Sequence, residues 1–218
     1  MRARAAAKRA VYGAVAASGL GAPVGAEYTR FGMYARLRAT VREITGGTDG
    51  AGRSLLDISG SRRLIEEVGL GAADITEAHY PEHNILSLPM ADGSFDFVVS
   101  DQVLEHIEGD PFVAFRETAR VTRPGGLLIH TTCFLNEIHL APDDFWRFTP
   151  AALRLLCRGV AEPIEVGGAG GLLSVPVSWL GLRRAPVPAA RWHPLHAAAL
   201  RNNPRWPVMT WVVATRTG

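Results

Sequence analysis

The stretch from Leu88 to Gly126 constrains the fold of this chain more than any other: LPMADGSFDFVVSDQVLEHIEGDPFVAFRETARVTRPGG. Asp92-Gly93 is a turn pair. Phe95 to Ser100 is a short run of aromatic and β-branched residues broken only by Asp96, the pattern of a strand buried on both faces. Asp110-Pro111 opens a helix, with Asp at the N-cap and Pro at the first helical position. Phe112, Phe115 and Ala119 then recur at helical spacing and give that helix an apolar face. Pro124-Gly125-Gly126 stops it, and Leu127 to Thr132 reads as a second buried strand. The connection is long enough for a parallel crossover, so the stretch is one βαβ unit of an open α/β sheet.

Composition narrows the class further. At 218 residues the chain is most simply one domain with a sizeable core. A formal net charge of +2 gives no basic groove for nucleic acid. The one dense basic run, Met1 to Arg9, reads as a solvated lead-in. Val11 to Ala22 is rich in Ala and Gly, which argues against a signal peptide. No run of strongly apolar residues is long enough for a transmembrane helix, so no membrane partner is expected. Cys133 and Cys157 lack CxxC spacing and read as reduced thiols of a cytoplasmic protein. Residues 1–26 are taken as the lead-in, and 27–218 as a single domain with lid segments near 134–150 and 172–207. Nothing in the sequence sets the oligomeric state.

The remaining elements follow in order. Glu27 to Ile44 repeats apolar residues at three- and four-residue steps, a helix with Arg30, Arg36, Arg38 and Arg42 along its other side. That face is either a solvated outer surface or part of a cap over a pocket. Ser54 to Ile58 is a strand, Ser59-Gly60-Ser61 a tight turn, and Arg62 to Val68 a helix ended by Gly69. Gly71 to Thr76 is expected to hold the next strand. His79 and His83 have a metal-like spacing, but Pro81 between them argues against a helix, and no metal is expected. In an open α/β sheet, ligands sit beyond the carboxyl ends of the strands. Ile58-Ser59-Gly60, Ser100-Asp101 and Thr132-Cys133 are therefore expected to meet at one crevice. His130, inside a strand, reads as structural. Residues 134–150 mix aromatic walls with a few polar groups, as a substrate lid does. Thr149-Pro150 caps a helix over Ala151 to Arg158, with Leu153, Leu155 and Leu156 for the core. Glu162 to Val166 is a strand, Leu172 to Leu180 a broken apolar segment, and Val208 to Ala214 a final strand. Residues 183–207 give no readable architecture.

The opening stretch also carries a resemblance. Leu88-Pro89-Met90, Asp92, Ser94-Phe95-Asp96, Val98, Ser100, Leu104-Glu105-His106, Arg120-Val121 and Pro124-Gly125-Gly126 fall in register with the second half of class I S-adenosylmethionine-dependent methyltransferases. The resemblance extends over Leu55 to Leu156. It implies a Rossmann-like open sheet, mostly parallel with an antiparallel final strand, and helices on both faces. It implies S-adenosyl-L-methionine as cofactor and a small-molecule or saccharide substrate, methylated on oxygen or nitrogen. Asp57 matches the acid that opens the family's glycine loop, but Ser59, Ser61 and Arg63 stand at the glycine positions, with Gly60 displaced. Either Ser59 and Gly60 still make the turn, or the loop no longer holds the cofactor. By the same resemblance, Asp74 or Glu77 takes the ribose hydroxyls, since a carboxylate presents two acceptor oxygens. Asn84 meets the adenine amino group and Ile85 the adenine face. Ser100, with Asp101 beside it, meets the cofactor's ammonium group through its carbonyl. A hydroxyl acceptor also needs its proton removed, for which His139, His106 and Asp143 are candidates. His106 reads equally well as a structural residue beneath the pocket. The alternative function is a degenerate cofactor-fold protein that binds a partner without methylating. A dehydrogenase is disfavoured, because GxGxxG is absent after the first strand.

Overall fold

A computed structural model of the chain describes residues 24–140, 142–172, 174–179 and 183–218, together with 6, 9–10, 12–14 and 17–18. The expected lead-in and the start of the 172–207 segment fall partly outside the described residues. The elements run β1 (Val24–Glu27), α1 (Tyr28–Ile44), β2 (Ser54–Ile58), α2 (Arg62–Glu67), β3 (Asp74–Ala78), β4 (Phe95–Asp101), a 3-10 turn (Leu104–His106), α3 (Pro111–Val121) and β5 (Thr122–Cys133). Then come α4 (Pro150–Leu156), β6 (Ala161–Ala169), α5 (Ser174–Trp179), β7 (Pro186–Pro188), α6 (Pro194–Leu200) and β8 (Met209–Arg216).

The chain divides into two compact units, one of residues 35–167 with 210–218 and one of residues 1–34 with 168–209. The first unit is built on a six-stranded sheet of order β3-β2-β4-β5-β8-β6, mostly parallel and surrounded by helices. Strands β3, β2, β4 and β5 pair in parallel. β8 is the antiparallel strand: the Val208 N–H meets Ala169 O at the end of β6, and the Thr217 N–H meets Val160 O at its start. In the other unit, β1 and β7 pair antiparallel. No helix among the described residues is long and apolar enough to cross a membrane.

The local reasons are those of the sequence, with informative departures. In α3 the Asp110 carboxylate accepts from Phe112 N at 2.8 Å, as an N-cap does. Its buried face is Ala114, Phe115, Thr118 and Ala119, while Phe112 faces outward. β5 begins at Thr122 rather than Leu127. Residues 123–126 bulge out of register, since Phe95 pairs with Thr122 but Phe97 with Leu127. A Cβ on Gly126 would lie 2.8 Å from Asp96 O and 2.9 Å from Arg123 O, so glycine is required where the bulge closes on β4. β3 starts at Asp74, not Gly71, because residues 69–73 turn: Ala72 N bonds Asp49 O and Ala73 N bonds Leu70 O. In α4 the Thr149 hydroxyl accepts from Ala152 N at 3.1 Å, and Leu153 and Leu156 are buried. Leu155 lies off that face and is exposed.

On α1, Leu37 and Val41 are buried, while Arg36 pairs with Glu165 at 2.8 Å and Arg38 with the Glu67 side chain. Those two arginines therefore form an ion-paired outer face. Residues 183–207 fold with the N-terminal segment: His193 caps α6 by accepting from Leu195 N at 3.1 Å, and His196 sits edge-on to Phe31 at 4.9 Å. Both histidines are accounted for by these contacts. His130 is fully buried between Ser100 Oγ at 2.7 Å and Thr118 Oγ1 at 3.3 Å, and burial pushes its imidazole down to about 3. Cys133 and Cys157 are free buried thiols, pushed up by burial to about 12 and about 11.

Candidate functional site

The site begins where β2 ends. Asp57 is fully buried, and its Oδ1 accepts from Ser61 N at 2.6 Å. Its Oδ2 has no partner among the described residues, and burial pushes this carboxyl up. The chain then turns through Ser59 at φ 56° and Gly60 at φ 81°. A left-handed serine is uncommon and costs energy, so the loop keeps a glycine-like path without the glycine. Ser61, buried, donates from its hydroxyl to Ile58 O at 2.8 Å and accepts from Asp101 N at 2.7 Å. One hydroxyl thus ties the end of β2 to the end of β4.

The parallel register brings the strand ends together as expected. Ile58 pairs with Ser100, Ser100 with His130, and Asp101 with Thr131, whose hydroxyl donates to Asp101 Oδ1 at 2.5 Å. Glu77 pairs with Asp57 at the crevice end of β3, whereas Asp74 pairs with Ser54 at the opposite end. At about 3.3 Å per residue, Asp74 is roughly 10 Å from the crevice. Of the two carboxylates, Glu77 is therefore the one at the crevice end of β3. Its carboxylate lies 3.0 Å from His79 Nε2, and that hydrogen bond holds the His79 imidazole above its ordinary range.

A cleft of about 410 Å³ opens beside these ends. Ser59, Asn84 and Ile85 line one part of it, and Gln102, His106, Asp143 and Phe145 line another. Asn84 Oδ1 already accepts from Leu86 N at 2.9 Å, an Asx turn that leaves its second lone pair and its amide NH₂ for a ligand. Ile85 is part of the core cluster. Ser100 is buried behind the cleft, with its hydroxyl on His130.

The segment after β5 is laced to the 3-10 turn. The Glu105 backbone carbonyl accepts from Phe145 N at 2.8 Å and Trp146 N at 3.0 Å, and Trp146 Nε1 donates to Ile107 O at 2.8 Å. His106 Nδ1 donates to Asp143 O at 2.8 Å. His139 Nδ1 lies 3.1 Å from Asp144 Oδ2, and its ring stands edge-on to His106 with centroids 4.8 Å apart. Asp144 is closed off from solvent, and the Arg147 guanidinium grips it from two sides and holds its carboxyl down to about 2. Of the three candidates for proton removal, His106 and His139 meet, and Asp143 holds His106 through its carbonyl while lining the cleft.

Some of the site was not readable beforehand. Gln102, at φ 62°, donates from its amide to Thr131 Oγ1 at 3.0 Å and lines the cleft. No sequence signal marks it. Glu105 is fully buried, its Oε2 accepts from Thr132 Oγ1 at 2.9 Å, and burial pushes its carboxyl up. Its placement beside His106 was visible, but not its burial. Glu105, His106 and His139 also come together: each offers a potential ligand atom, all within 4.8 Å of one another.

Known proteins resemble this arrangement. A family model for a methyltransferase domain matches residues 51–130. An uncharacterized methyltransferase of Mycobacterium sp. (strain JLS) is 36% identical over 115 residues, 44% of this chain and 44% of the relative. A probable S-adenosylmethionine-dependent methyltransferase of Mycolicibacterium smegmatis is 34% identical over 152 residues, 62% of this chain and 56% of the relative. The chain spans about half the length of such relatives. Among solved structures, the 1,6-didemethyltoxoflavin-N1-methyltransferase of Burkholderia thailandensis, solved with 1,6-didemethyltoxoflavin and S-adenosylhomocysteine, superposes with a TM-score of 0.54. It covers 85% of this chain and 78% of that one at 14% identity, a likeness of fold alone.

Proposed function

We propose that this chain, which carries a class I S-adenosylmethionine-dependent methyltransferase domain, moves a methyl group onto a hydroxyl or amine of a small molecule or saccharide. The observation that carries the reading is the cleft itself. One part is lined by the Ser59 turn with Asn84 and Ile85, the other by His106 and its lid contacts. The donor set fits S-adenosylmethionine. Glu77 presents two acceptor oxygens for a ribose diol, Asn84 and Ile85 suit an adenine edge and face, and the Ser100 carbonyl beside the Asp101 carboxylate suits an ammonium group. When bound, the cofactor supplies a sulfonium methyl already activated for in-line displacement.

The protein's own contribution is then orientation and a dry site. The Ser59-Gly60 turn lets backbone pass close to a ligand. Ile107 and Phe145 give the acceptor side of the cleft an apolar wall. His106 donates from Nδ1 to a carbonyl, so its Nε2 carries the lone pair that a base needs. His139 is fixed through its backbone N–H, which donates to Asp144 Oδ2 at 3.1 Å. An acceptor hydroxyl in the cleft loses its proton to His106 Nε2, with the His139 ring packed edge-on against that imidazole, as the methyl arrives.

Calorimetric titration with S-adenosylmethionine tests the cofactor half. Transfer of labelled methyl to fractionated small molecules and saccharides tests the acceptor half. Absence of binding at millimolar cofactor overturns the reading, and binding without any transfer leaves only a binding role.

A further inference from the structure

The Glu105, His106 and His139 cluster is more than an acid–base pair, and the geometry points to a divalent transition-metal site of two imidazoles and one carboxylate at the acceptor end of the cleft. Three observations carry it. The three ligand atoms lie within 4.8 Å of one another, close enough for a single ion to draw them in. His106 is already tied by Nδ1 to an outer acceptor, Asp143 O at 2.8 Å, as metal-binding histidines characteristically are, and His139 is fixed by its backbone N–H, which donates to Asp144 Oδ2 at 3.1 Å. That leaves His106 Nε2 with its lone pair free for an ion. The Glu105 carboxylate is fully buried, with Oε2 held by the Thr132 hydroxyl at 2.9 Å, the Cys133 thiol beside the carboxylate, and no hydrogen-bond partner within reach of Oε1 among the described residues. A buried carboxylate oxygen with no partner is costly, and a cation is the partner that its neighbours are placed to share.

The donor set decides the ion. Two imidazole nitrogens and one carboxylate suit zinc, cobalt, iron(II) or manganese(II) rather than calcium or magnesium, which prefer oxygen ligands. Three protein ligands leave coordination positions open on the cleft side, where His106 lines the wall. A Lewis acid there lowers the pKa of a bound hydroxyl and orients it, and with the imidazole lone pairs on the ion the released proton passes to solvent rather than to a histidine. That role rests on the methyltransferase reading, but ion binding does not.

The test uses untagged full-length protein, stripped with chelator and titrated with cobalt(II) followed by visible absorption, then displaced by zinc. The expected result is one cobalt per chain with ligand-field bands and competition by zinc. His139→Ala and His106→Ala should each weaken binding at least about tenfold, with far-UV circular dichroism unchanged. His79→Ala should leave cobalt binding as it was. Glu105→Gln should weaken binding likewise; if that buried change prevents folding, the two histidine variants decide the matter. Thr132→Val, which removes only the support of Oε2, should cost up to about tenfold. Absence of saturable one-to-one binding, or binding undiminished in both histidine variants, overturns the site. S-adenosylmethionine titration of the same stripped protein separates the two readings. Cofactor binding without cobalt binding rejects the ion alone. Cobalt binding without cofactor binding rejects the methyltransferase reading and leaves the ion site standing.

Discussion

Glycine substituted at position 61, where the methyltransferase pattern has one, should weaken this fold rather than repair it. The Ser61 hydroxyl makes two bonds, to Ile58 O at 2.8 Å and from Asp101 N at 2.7 Å, and the residue is buried. Each such bond nets about 1 kcal/mol, and a buried group left without its partner costs about 1–3 kcal/mol. Ile58 O is buried with its strand, while Asp101 N is partly reachable by water, so the combined loss is about 2–4 kcal/mol. Glycine adds roughly 0.5–1 kcal/mol of unfolded-chain entropy. Ser59→Gly is the contrasting change. It relieves a left-handed serine worth about 1–2 kcal/mol, less the same entropy, and should be neutral or slightly stabilising. Urea denaturation followed by circular dichroism reads both: S61G lowers the midpoint by roughly 1 M or more, and S59G leaves it level or raises it. If S61G unfolds within about 0.5 kcal/mol of the parent, the hydroxyl is not the tie between β2 and β4, and the account of the variant loop fails.

Gly126→Ala places a Cβ 2.8 Å from Asp96 O and 2.9 Å from Arg123 O; it should cost about 1–3 kcal/mol, and an unchanged melting temperature would contradict the bulge geometry. Glu77→Ala should weaken S-adenosylmethionine binding roughly tenfold or more, while Asp74→Asn, at the far end of β3, leaves it unchanged; the reverse order in calorimetry would refute the placement. Asp144 is held down to about 2 by Arg147. Its contribution, about 2 kcal/mol, is therefore fully present above its unfolded value near 4 and is lost as pH falls toward 2. The stability gap between the parent and Asp144→Asn should close across that window in acid unfolding, and a gap constant with pH would rule out the ion pair as its source.

How far the sequence carries can be judged residue by residue. β2, β4 and α3 were legible because their signals are local: apolar runs, a capping Asp followed by Pro, and a Pro-Gly-Gly stop. The crevice was legible because parallel topology fixes where strand ends meet. β3 was misplaced because GAADIT has no sustained apolar pattern, and that error carried Asp74 to the wrong end of the sheet. Phe112 and Leu155 point outward because a helix buries one stripe, and neighbours at 114, 115, 153 and 156 occupy it. Gln102 and the burial of Glu105 depend on contacts with β5 and with residues 143–146, which no local pattern encodes. β7 and α6 were unreadable because each needs a distant partner, β1 for the strand and Phe31 for the helix.

The strand order has a consequence for how the molecule is made. β8 lies between β5 and β6, yet it is synthesised after both and after the whole of residues 170–208. On the ribosome, β5 and β6 therefore emerge with a slot between them, each with an unpaired edge open to other chains. Closing that slot is a late, long-range event, the slowest kind of β pairing. Truncation before residue 209 should leave a nascent chain that chaperones hold, while its β3-β2-β4-β5 half has already formed.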